Sequence, residues 1–476
     1  MKTELLKRWG WFLPVLAAMW ALLPAMQRDF WFDEALTILN FALMEDPAAI
    51  YRNYVIPNNQ IVHTVLVHFL LGIVPEGTSW NVWLRLLPAG CAAALILLLW
   101  FRFRTRLGSG VLLGVLTIFA LSPVFAIYGT ALRGYILSAL LLTAALDFAM
   151  AVARGGRFPA WAGWFLASFL ALGTLPTNLA GLGCAVVWVL PLFGWDFWKK
   201  WRFWAMALIP VIAFFAFYLP ILQQFLGCCN LREGWDDGLL VLGITYGTFA
   251  LVFAPFAGVG ILGGVLSVRG RKRWIFAVRL LVLAAPLPAC LLLPVAPFPR
   301  VFVTLWPFWI LLLAAGVRHL TAYQVRLRRK RKMGMLTAGF FAAAILWGAF
   351  IQWQDMRFVF SDAGGGAGSD DLWAPYYMRM NFVPSETALK IGKMGPVPAI
   401  YCSFASDPWS LMLHGALTGV SGWCFDGPQG QVKTLLPGSA AVLRIDEDPA
   451  ELLEKRFGMT WTALFQSGRN MVYQAK

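Results

Sequence analysis

Residues 9–34 read WGWFLPVLAAMWALLPAMQRDFWFDE, an apolar run that ends in several charged side chains. Positions 9–26 contain no charged residue, which is the composition of a helix that crosses a lipid bilayer. The acidic pair Asp33-Glu34 is too polar to remain in hydrocarbon, so it marks the surface where the chain leaves the membrane. The stretch predicts a retained first transmembrane helix followed by an acidic loop.

The composition of the whole chain agrees with this interpretation. Its 476 residues are 59% hydrophobic and only 13% charged, whereas soluble domains average about 45–50% apolar and about 25% charged residues. A water-soluble enzyme, a disordered chain, a collagen-like chain and a disulfide scaffold are therefore excluded. The formal net charge of +15 could indicate a nucleic-acid partner, but in a membrane protein basic residues first report which loops face the cytoplasm.

The apolar segments predict an all-α polytopic membrane domain of about eleven transmembrane helices. A spanning helix needs about 20 apolar residues. The candidate spans are 9–26, 84–101, 108–126, 134–153, 160–175, 178–195, 204–226, 244–267, 275–294, 301–317 and 334–352. A further apolar run, residues 61–74, is shorter and carries His63 and His68. Whether this run spans the membrane determines on which side every later loop lies.

The basic residues decide the topology. If 61–74 stays on the exterior side, six loops that hold 22 Lys and Arg residues all face the cytoplasm, as the positive-inside rule requires. The exterior loops before residue 353 then hold only Arg28, Arg52, Arg85, Arg133, Arg232 and Arg300. We therefore expect a cytoplasmic N-terminus, an exterior juxtamembrane helix at 61–74 and an exterior C-terminal region.

The chain becomes polar after the last apolar segment. The predicted parts are a transmembrane domain over 1–352 with its first exterior loop at 27–83, a linker over 353–382, and a small exterior α/β domain over 383–476. Short strand-like runs alternate with helical ones in the last part. Cys402 and Cys424 lie there and are candidates for a disulfide if the domain faces an oxidising compartment.

The first exterior loop holds most of the exterior acids. After Asp33 the apolar residues follow helical spacing, so an amphipathic helix at the membrane surface is expected. Asp33 can serve as its N-cap, and Glu34 can interact with its dipole. A capping carboxylate is also held rigidly enough to do chemistry, so the structural and the catalytic interpretation both remain open.

Arg133 and Arg300 depart from the charge rule. Arg133 stands in a short exterior turn between two predicted spans, and Arg300 stands at the mouth of the tenth. Such an arginine needs a partner, either the anionic head group of a ligand or a carboxylate such as Asp33. Because guanidinium groups bind phosphate well, a phosphate-bearing lipid is one expected ligand. Arg85 can instead snorkel to the surface, and His63 can be a packed histidine.

Three motifs occur in an informative order. They are Phe32-Asp33-Glu34-Ala35 after the first span, Asn58-Asn59-Gln60 followed by Arg85-Leu86-Leu87-Pro88 at the second span, and Pro123, Tyr128 and Arg133-Gly134-Tyr135 after the third. In these motifs the chain resembles the membrane glycosyltransferases of the C-type fold, especially those similar to glycosyltransferase family 39, the protein O-mannosyltransferase-like group. The likeness is greatest over residues 29–135.

The resemblance implies an inverting transfer of a sugar from a polyprenyl-phosphate-linked donor to a lipid, glycan or protein acceptor on the exterior face. It implies that Asp33 is the general base, that Glu34 orients it or helps to place a divalent metal, and that Arg133 and Arg300 hold the donor phosphate. Further contacts to donor or acceptor are expected from His63, Arg85, Tyr128, Tyr135 and Asn59. Many similar sequences carry an acid where this chain has Thr130-Ala131-Leu132, so metal dependence stays open. No nucleic-acid partner is expected.

Two other classes of protein remain open. A lipid or lipid-linked-sugar transporter would place charged residues or broken helices near the bilayer midplane, and Asp147 and Arg279 are ionisable residues inside predicted spans. A non-catalytic assembly subunit would make the C-terminal domain the working part and the Asp33 loop dispensable. For the transferase we expect a multi-pass protein of the bacterial inner membrane, with its C-terminal domain in the periplasm.

The charge pattern predicts that residues 102–106 face the cytoplasm. A single cysteine introduced there should react with a membrane-impermeant maleimide only after the membrane is permeabilised. A cysteine introduced in the loop 27–83 serves as the control and should react in intact cells. Labelling of 102–106 from outside would overturn this topology, and with it the exterior placement of Asp33.

Overall fold

The protein is described by a computed structural model that covers residues 8–56, 59–229, 237–254, 260, 271–326, 346–347, 350, 382–426, 431–445 and 450–476. Most of the predicted span 334–352 and of the predicted linker 353–382 lies outside the described residues, as does Asn58 of the second motif. The predicted span 244–267 is described mainly in its first part.

The described part of the membrane domain is helical, as expected. Its α-helices are α1 (Phe12–Ala25), α2 (Phe32–Thr37), α3 (Pro47–Arg52), α4 (Ile61–Leu71), α5 (Trp80–Leu107), α6 (Ser109–Ala120), α7 (Pro123–Thr130), α8 (Tyr135–Ala153), α9 (Phe158–Thr174), α10 (Asn178–Phe193), α11 (Trp201–Tyr218), α12 (Leu222–Cys229), α13 (Gly238–Val252), α14 (Arg271–Leu280), α15 (Pro286–Leu292) and α16 (Trp306–Arg326). A π-helical turn over Ile38–Ala42 extends α2, and a 3₁₀ segment over Pro299–Leu305 leads into α16.

Several of these helices can cross a membrane. By length and composition, five stretches of the described chain qualify, namely Trp80–Leu107, Tyr135–Ala153, Trp201–Cys228, Trp274–Leu292 and Pro299–Leu320. The bent pair α6–α7 makes a sixth if it is counted as one span. Apolar helices of 10–17 residues, α1, α9, α10 and α13 among them, coincide with other predicted spans. The polytopic membrane class is confirmed, while the number of about eleven spans stays a prediction.

Helix α4 lies in the apolar run 61–74, on whose position the predicted side of every later loop depends. It has 11 residues and rises by about 16 Å, whereas the hydrocarbon core is about 30 Å thick. One face of the helix is buried, with His63 and Val67 at 1% and 0% exposure, while Phe69 on another face is 57% exposed. A short helix with one apolar exposed face fits the membrane surface, which agrees with the expected juxtamembrane helix.

The predicted straight span 108–126 is in fact a broken helix. α6 ends at Ala120, α7 starts at Pro123, and their axes differ by 67°. The break has a local cause, since Ser122 caps α7 by accepting a hydrogen bond from Phe125 N–H at 3.1 Å and Pro123 occupies the first position of the new helix. Every residue of α7 is buried, and the turn that contains Arg133 directly follows this helix.

The two ionisable residues that the sequence places inside spans are both engaged. Asp147 Oδ2 lies 2.5 Å from Arg102 Nη2 near the C-terminal end of α5. Arg279 Nε donates to the Trp188 carbonyl at 3.3 Å, and its guanidinium lies 4.7 Å from the centre of the Trp188 ring. These contacts join one helix to another and give no sign of the midplane ion site that a transporter would need.

The C-terminal part is a small α/β domain, as expected. It contains α17 (Pro384–Gly392), α18 (Pro408–Leu417), α19 (Glu451–Phe457), β1 (Ile400–Cys402), β2 (Trp423–Phe425), β3 (Ala440–Arg444), β4 (Trp461–Ser467) and β5 (Asn470–Ala475). The strand order is β2-β1-β3-β5-β4. β1 is parallel to β2 and β3, whereas β3, β5 and β4 pair in antiparallel fashion.

The disulfide considered between Cys402 and Cys424 is wrong. Both cysteines are free, and the parallel register pairs Cys424 with Tyr401 rather than with Cys402. Because successive side chains of a strand point to opposite faces of the sheet, the two sulfur atoms lie in different cores. Cys402 packs with Ile391 and Val442, while Cys424 packs on the face of Tyr401.

Candidate active site at the first exterior loop

Helix α2 carries two acids of the first exterior loop, Asp33 and Glu34, and its N-terminus explains how they differ. The N-cap is Trp31 rather than Asp33, and its own N–H donates to Glu34 Oε2 at 3.3 Å. Glu34 thus reaches back to the cap, as the acid does in a capping box. Asp33, which the sequence suggested as the cap, is the second residue of the helix, and its carboxylate makes a different contact.

Glu34 is the centre of a fully buried network. Its Oε2 lies 2.7 Å from Arg85 Nη2, and its Oε1 accepts a hydrogen bond from Leu132 N–H at 2.5 Å. The side chains of Glu34 and Arg85 are 0% and 3% exposed. One carboxylate therefore joins the exterior loop, the start of α5 and the turn after α7. Breaking such a buried pair costs about 3–5 kcal/mol, because the remaining charge loses its partner.

Arg85 is buried, so the alternative that it snorkels to the surface does not hold. Besides Glu34, it donates to the carbonyls of Met26 at 3.3 Å and Asp29 at 3.1 Å, and also to the Arg28 carbonyl. Its guanidinium lies 4.9 Å from the centre of the Phe30 ring. Arg85 thus binds the backbone of the segment between α1 and α2, which fixes the direction in which α2 starts.

Asp33 faces a different arginine. Its Oδ2 lies 3.2 Å from Arg300 Nη2, with the two side chains 10% and 14% exposed. Arg300 comes from the 3₁₀ segment before α16, and its guanidinium lies 4.3 Å and 5.5 Å from the ring centres of Phe298 and Trp31. Of the two expected partners for an exterior arginine, the structure shows the carboxylate. This pair keeps some access to solvent, unlike the pair of Glu34.

Arg133 approaches the same turn of α2 from another side. Its Nη1 donates to Thr37 Oγ1 at 2.9 Å and to the Asp33 carbonyl at 3.5 Å. Its guanidinium lies 5.9 Å from the centre of the Tyr135 ring, which in turn meets the Tyr128 ring edge to face. Arg133 and Arg300, distant in sequence, are therefore both in contact with Asp33, one through its backbone and the other through its carboxylate.

The turn before α8 is also held by α4. Gly134 N–H donates to Gln60 Oε1. A Cβ atom at Gly134 would collide with Thr174 Cγ2 and come within 3.3 Å of His63 Cβ, so this position has no room for a side chain. The sequence placed Gln60 and Gly134 in motifs without showing that they bond to each other. Thr37 was missed altogether, although its position one helical turn after Asp33 is a signal that could have suggested a contact.

His63 is the most unusual titratable group beside this turn. It is 1% exposed, and within the described part of the chain neither ring nitrogen has a hydrogen-bond partner. Burial, together with the nearby charge of Arg133, lowers the pKa of His63 to about 3. The imidazole is therefore neutral at neutral pH and can offer one donor and one acceptor.

Asn59 holds two neighbouring helices of the loop together. Its Nδ2 donates to the carbonyls of Ile50 at 2.9 Å and Asn53 at 3.1 Å, which holds α3 against the start of α4. Its amide thus connects the end of α3 to the start of α4.

The residues around Asp33 do not form a metal site in the usual sense. Among the described residues, no group of three or more His, Cys, Asp or Glu side chains is close enough to share an ion. Both oxygens of Glu34 already accept hydrogen bonds from Arg85, Trp31 and Leu132. Its carboxylate is thus better placed to orient the loop than to serve as a metal ligand.

Solved structures show what this arrangement of helices is similar to. ArnT from Cupriavidus metallidurans bound to undecaprenyl phosphate matches with a TM-score of 0.56 and 14% sequence identity, over 98% of this chain and 98% of that one. The apo state of ArnT from Cupriavidus metallidurans matches with a TM-score of 0.55 and 15% identity, over 97% of each chain. The chain has the C-type membrane glycosyltransferase fold.

This finding confirms the fold that the three motifs suggested, and it makes the chain an integral multi-pass membrane protein. No protein-family model matches the sequence, and no curated protein matches it either. Since the identities to both structures are below 20%, the likeness extends to the fold and not to the substrate.

The packing around Gly134 predicts that Gly134→Ala destabilises the protein. The added methyl group would press on Thr174 and His63, and such overpacking costs about 1–3 kcal/mol. Thermal unfolding in detergent should show a lower midpoint. The matched control is Gly183→Ala in α10, where a Cβ would meet nothing within 4 Å. Equal midpoints for the two variants would contradict the tight packing of this turn.

Proposed function

We propose that the protein is an inverting glycosyltransferase that takes a sugar from a polyprenyl-phosphate-linked donor and passes it to an acceptor on the exterior face. The observation that carries the proposal is the position of Asp33. It is a buried carboxylate on the first turn of α2, with one arginine on its side chain and another on its backbone. The fold supports the proposal, since an ArnT structure of this fold contains undecaprenyl phosphate.

Arg300 and Arg133 are suited to hold the donor phosphate. A guanidinium group binds phosphate through charge-assisted hydrogen bonds, and its attraction grows as the sugar–phosphate bond breaks and negative charge collects on the leaving group. Arg300 keeps 14% of its side chain exposed and can turn from Asp33 to an arriving phosphate. His63, neutral and buried beside Arg133, can add one further hydrogen bond to the donor.

The same exchange would prepare Asp33 as the base. While Arg300 is paired with Asp33, the guanidinium occupies the Oδ2 atom of the carboxylate, and its movement to the phosphate leaves that oxygen accessible to the acceptor hydroxyl. Asp33 then accepts the proton of the acceptor hydroxyl as its oxygen attacks the sugar carbon. The bonding pair of electrons leaves with the lipid phosphate, and the attack from the opposite side inverts the configuration at that carbon.

Glu34 and Arg85 have a positioning role in this scheme. Their buried pair fixes the start of α2, and Asp33 precedes Glu34 directly on that helix. Tyr135, which supports the Arg133 guanidinium, and Tyr128 beside it complete the wall of the site. A periplasmic site in a bacterial inner membrane, with a lipid, glycan or protein as acceptor, belongs to the same proposal.

The sharpest prediction concerns Asp33→Asn. The amide keeps the shape of the side chain but cannot accept the proton, so kcat should fall about 10²–10⁴-fold. The measurement is sugar transfer by purified protein from a polyprenyl-phosphate donor, followed by mass spectrometry of the product. Asp46→Asn is the control, because Asp46 is an exposed acid of the same loop that pairs with Arg52.

Two results would contradict this prediction. Equal transfer by the wild type and Asp33→Asn would remove Asp33 from the base role. Movement of the donor across vesicles without any transfer would instead favour a flippase, the alternative from another class of protein.

A second prediction separates donor binding from proton transfer. Arg300→Gln removes a charged donor, and a hydrogen bond to a charged group contributes about 1.5–3 kcal/mol. The KM for the donor should therefore rise about 10- to 100-fold. Arg52→Gln is the matched control, because Arg52 is an exterior arginine with 70% of its side chain exposed. An unchanged donor KM in Arg300→Gln would exclude Arg300 as a phosphate ligand.

A further inference from the structure

The C-terminal domain is in direct contact with the loop that carries Asp33. Phe30 N–H donates to His414 Nε2 at 3.2 Å, and the two rings stack at 22° with their centres 5.9 Å apart. His414 lies on α18 and is 3% exposed. A hydrogen bond to the backbone of residue 30 restrains the chain three residues before Asp33.

Asp29 makes a second connection across the same interface. Its Oδ2 accepts a hydrogen bond from Ser385 N–H at 2.9 Å, at the start of α17. Its Oδ1 accepts one from Asn81 Nδ2 of α5 at 3.3 Å and lies 3.9 Å from His414 Nε2. This one carboxylate thus connects α17 and α18 of the C-terminal domain to the base of α5.

Apolar packing makes the contact continuous. Leu413 of α18 lies in one cluster with Phe30, Ala35 and Ile38 of the loop, and Trp409 packs against that cluster. This cluster includes Leu132 from the turn before α8 as well. The C-terminal domain therefore shares a core with the segment that holds the candidate active site.

We propose that His414 is a positioning residue for the transferase and that the C-terminal domain completes the site by fixing the Asp33 loop. This inference rests on the proposed function. The chain of contacts is short. His414 accepts from Phe30 N–H, Glu34 accepts from Trp31 N–H, and Asp33 directly precedes Glu34 on the first turn of α2. A loss of the first contact lets residues 29–31 rotate, which displaces the Asp33 carboxylate from Arg300.

The contact depends on the neutral form of His414. Nε2 can accept from Phe30 N–H only if the proton of the imidazole is on Nδ1. The charged groups that face the ring are Asp29 from the loop and Arg85 from α5. Burial lowers the pKa of His414, the Asp29 carboxylate raises it, Arg85 lowers it, and the net shift is downward. Protonation of His414 ends the hydrogen bond. It therefore occurs at pH values below the ordinary histidine pKa of about 6.5.

The experiment compares three full-length variants in detergent or vesicles. His414→Phe keeps the ring but removes the acceptor, and a misplaced catalytic group can cost about 10²-fold, so kcat should fall about 10- to 100-fold with little change in the donor KM. His414→Gln restores an acceptor and should keep kcat within about threefold of the wild type. Thr418→Ala is the matched control, because the Thr418 hydroxyl donates only to carbonyls of its own helix, those of His414 and Gly415.

Two further readouts separate positioning from simple loss of stability. Amide hydrogen exchange in the peptide that contains Phe30 should be about tenfold faster in His414→Phe and unchanged in Thr418→Ala, at temperatures well below unfolding. The ratio of wild-type to His414→Gln transfer rates should fall as the pH is lowered below 6.5, since only the wild type loses its acceptor by protonation.

The outcomes distinguish this inference from the proposed function. Absence of transfer in the wild type would overturn the function, and hydrogen exchange would still decide whether His414 restrains the loop. Wild-type transfer that His414→Phe leaves unchanged would overturn the positioning role and leave the function intact. Unchanged exchange at Phe30 in His414→Phe would also overturn the role. If His414→Phe does not fold, His414→Leu, which also lacks an acceptor, gives the same comparison.

Discussion

The buried pair of Glu34 and Arg85 is the interaction on which the exterior site depends. Both side chains are taken out of water here, and each makes hydrogen bonds beyond the pair itself, which offset the loss of hydration. Through these bonds, the end of α1, the start of α2, the base of α5 and the turn after α7 become one rigid unit. The loop that carries the candidate base therefore has a defined position at the membrane surface.

Two adjacent acids have different tasks because their surroundings differ. Glu34 accepts hydrogen bonds on both oxygens and is inaccessible to solvent, which suits a group that holds structure. Asp33 keeps partial exposure and pairs with an arginine from a different part of the chain. A carboxylate whose side chain pairs with one arginine can be released when a phosphate competes for that arginine, whereas a carboxylate with several fixed partners stays engaged.

The C-terminal domain also contacts the loop that carries Asp33. Its α18 shares an apolar cluster with the loop, and its His414 holds the loop backbone. The Glu34–Arg85 network holds this loop against the membrane helices. The C-terminal domain adds further contacts to the same loop, at Phe30 and Asp29.

Much of the fold could be predicted from composition and charge alone. Hydropathy identified the membrane class, while the division into cytoplasmic and exterior loops and the surface position of the short run with His63 stay predictions. The change to polar composition predicted the α/β domain. The break between α6 and α7 was missed, because Ser122-Pro123 lies within an apolar run that hydropathy interprets as continuous.

The sequence by itself determined the kind of protein, the acidic loop and the exterior arginines, because burial in lipid restricts which residues can occur where. Only the tertiary structure decided which charges meet. Glu34 finds Arg85 and Leu132 at sequence separations of 51 and 98 residues, and Phe30 finds His414 at a separation of 384. No local pattern encodes such pairs. They arise when helix packing brings distant groups together and burial requires each polar group to have a partner.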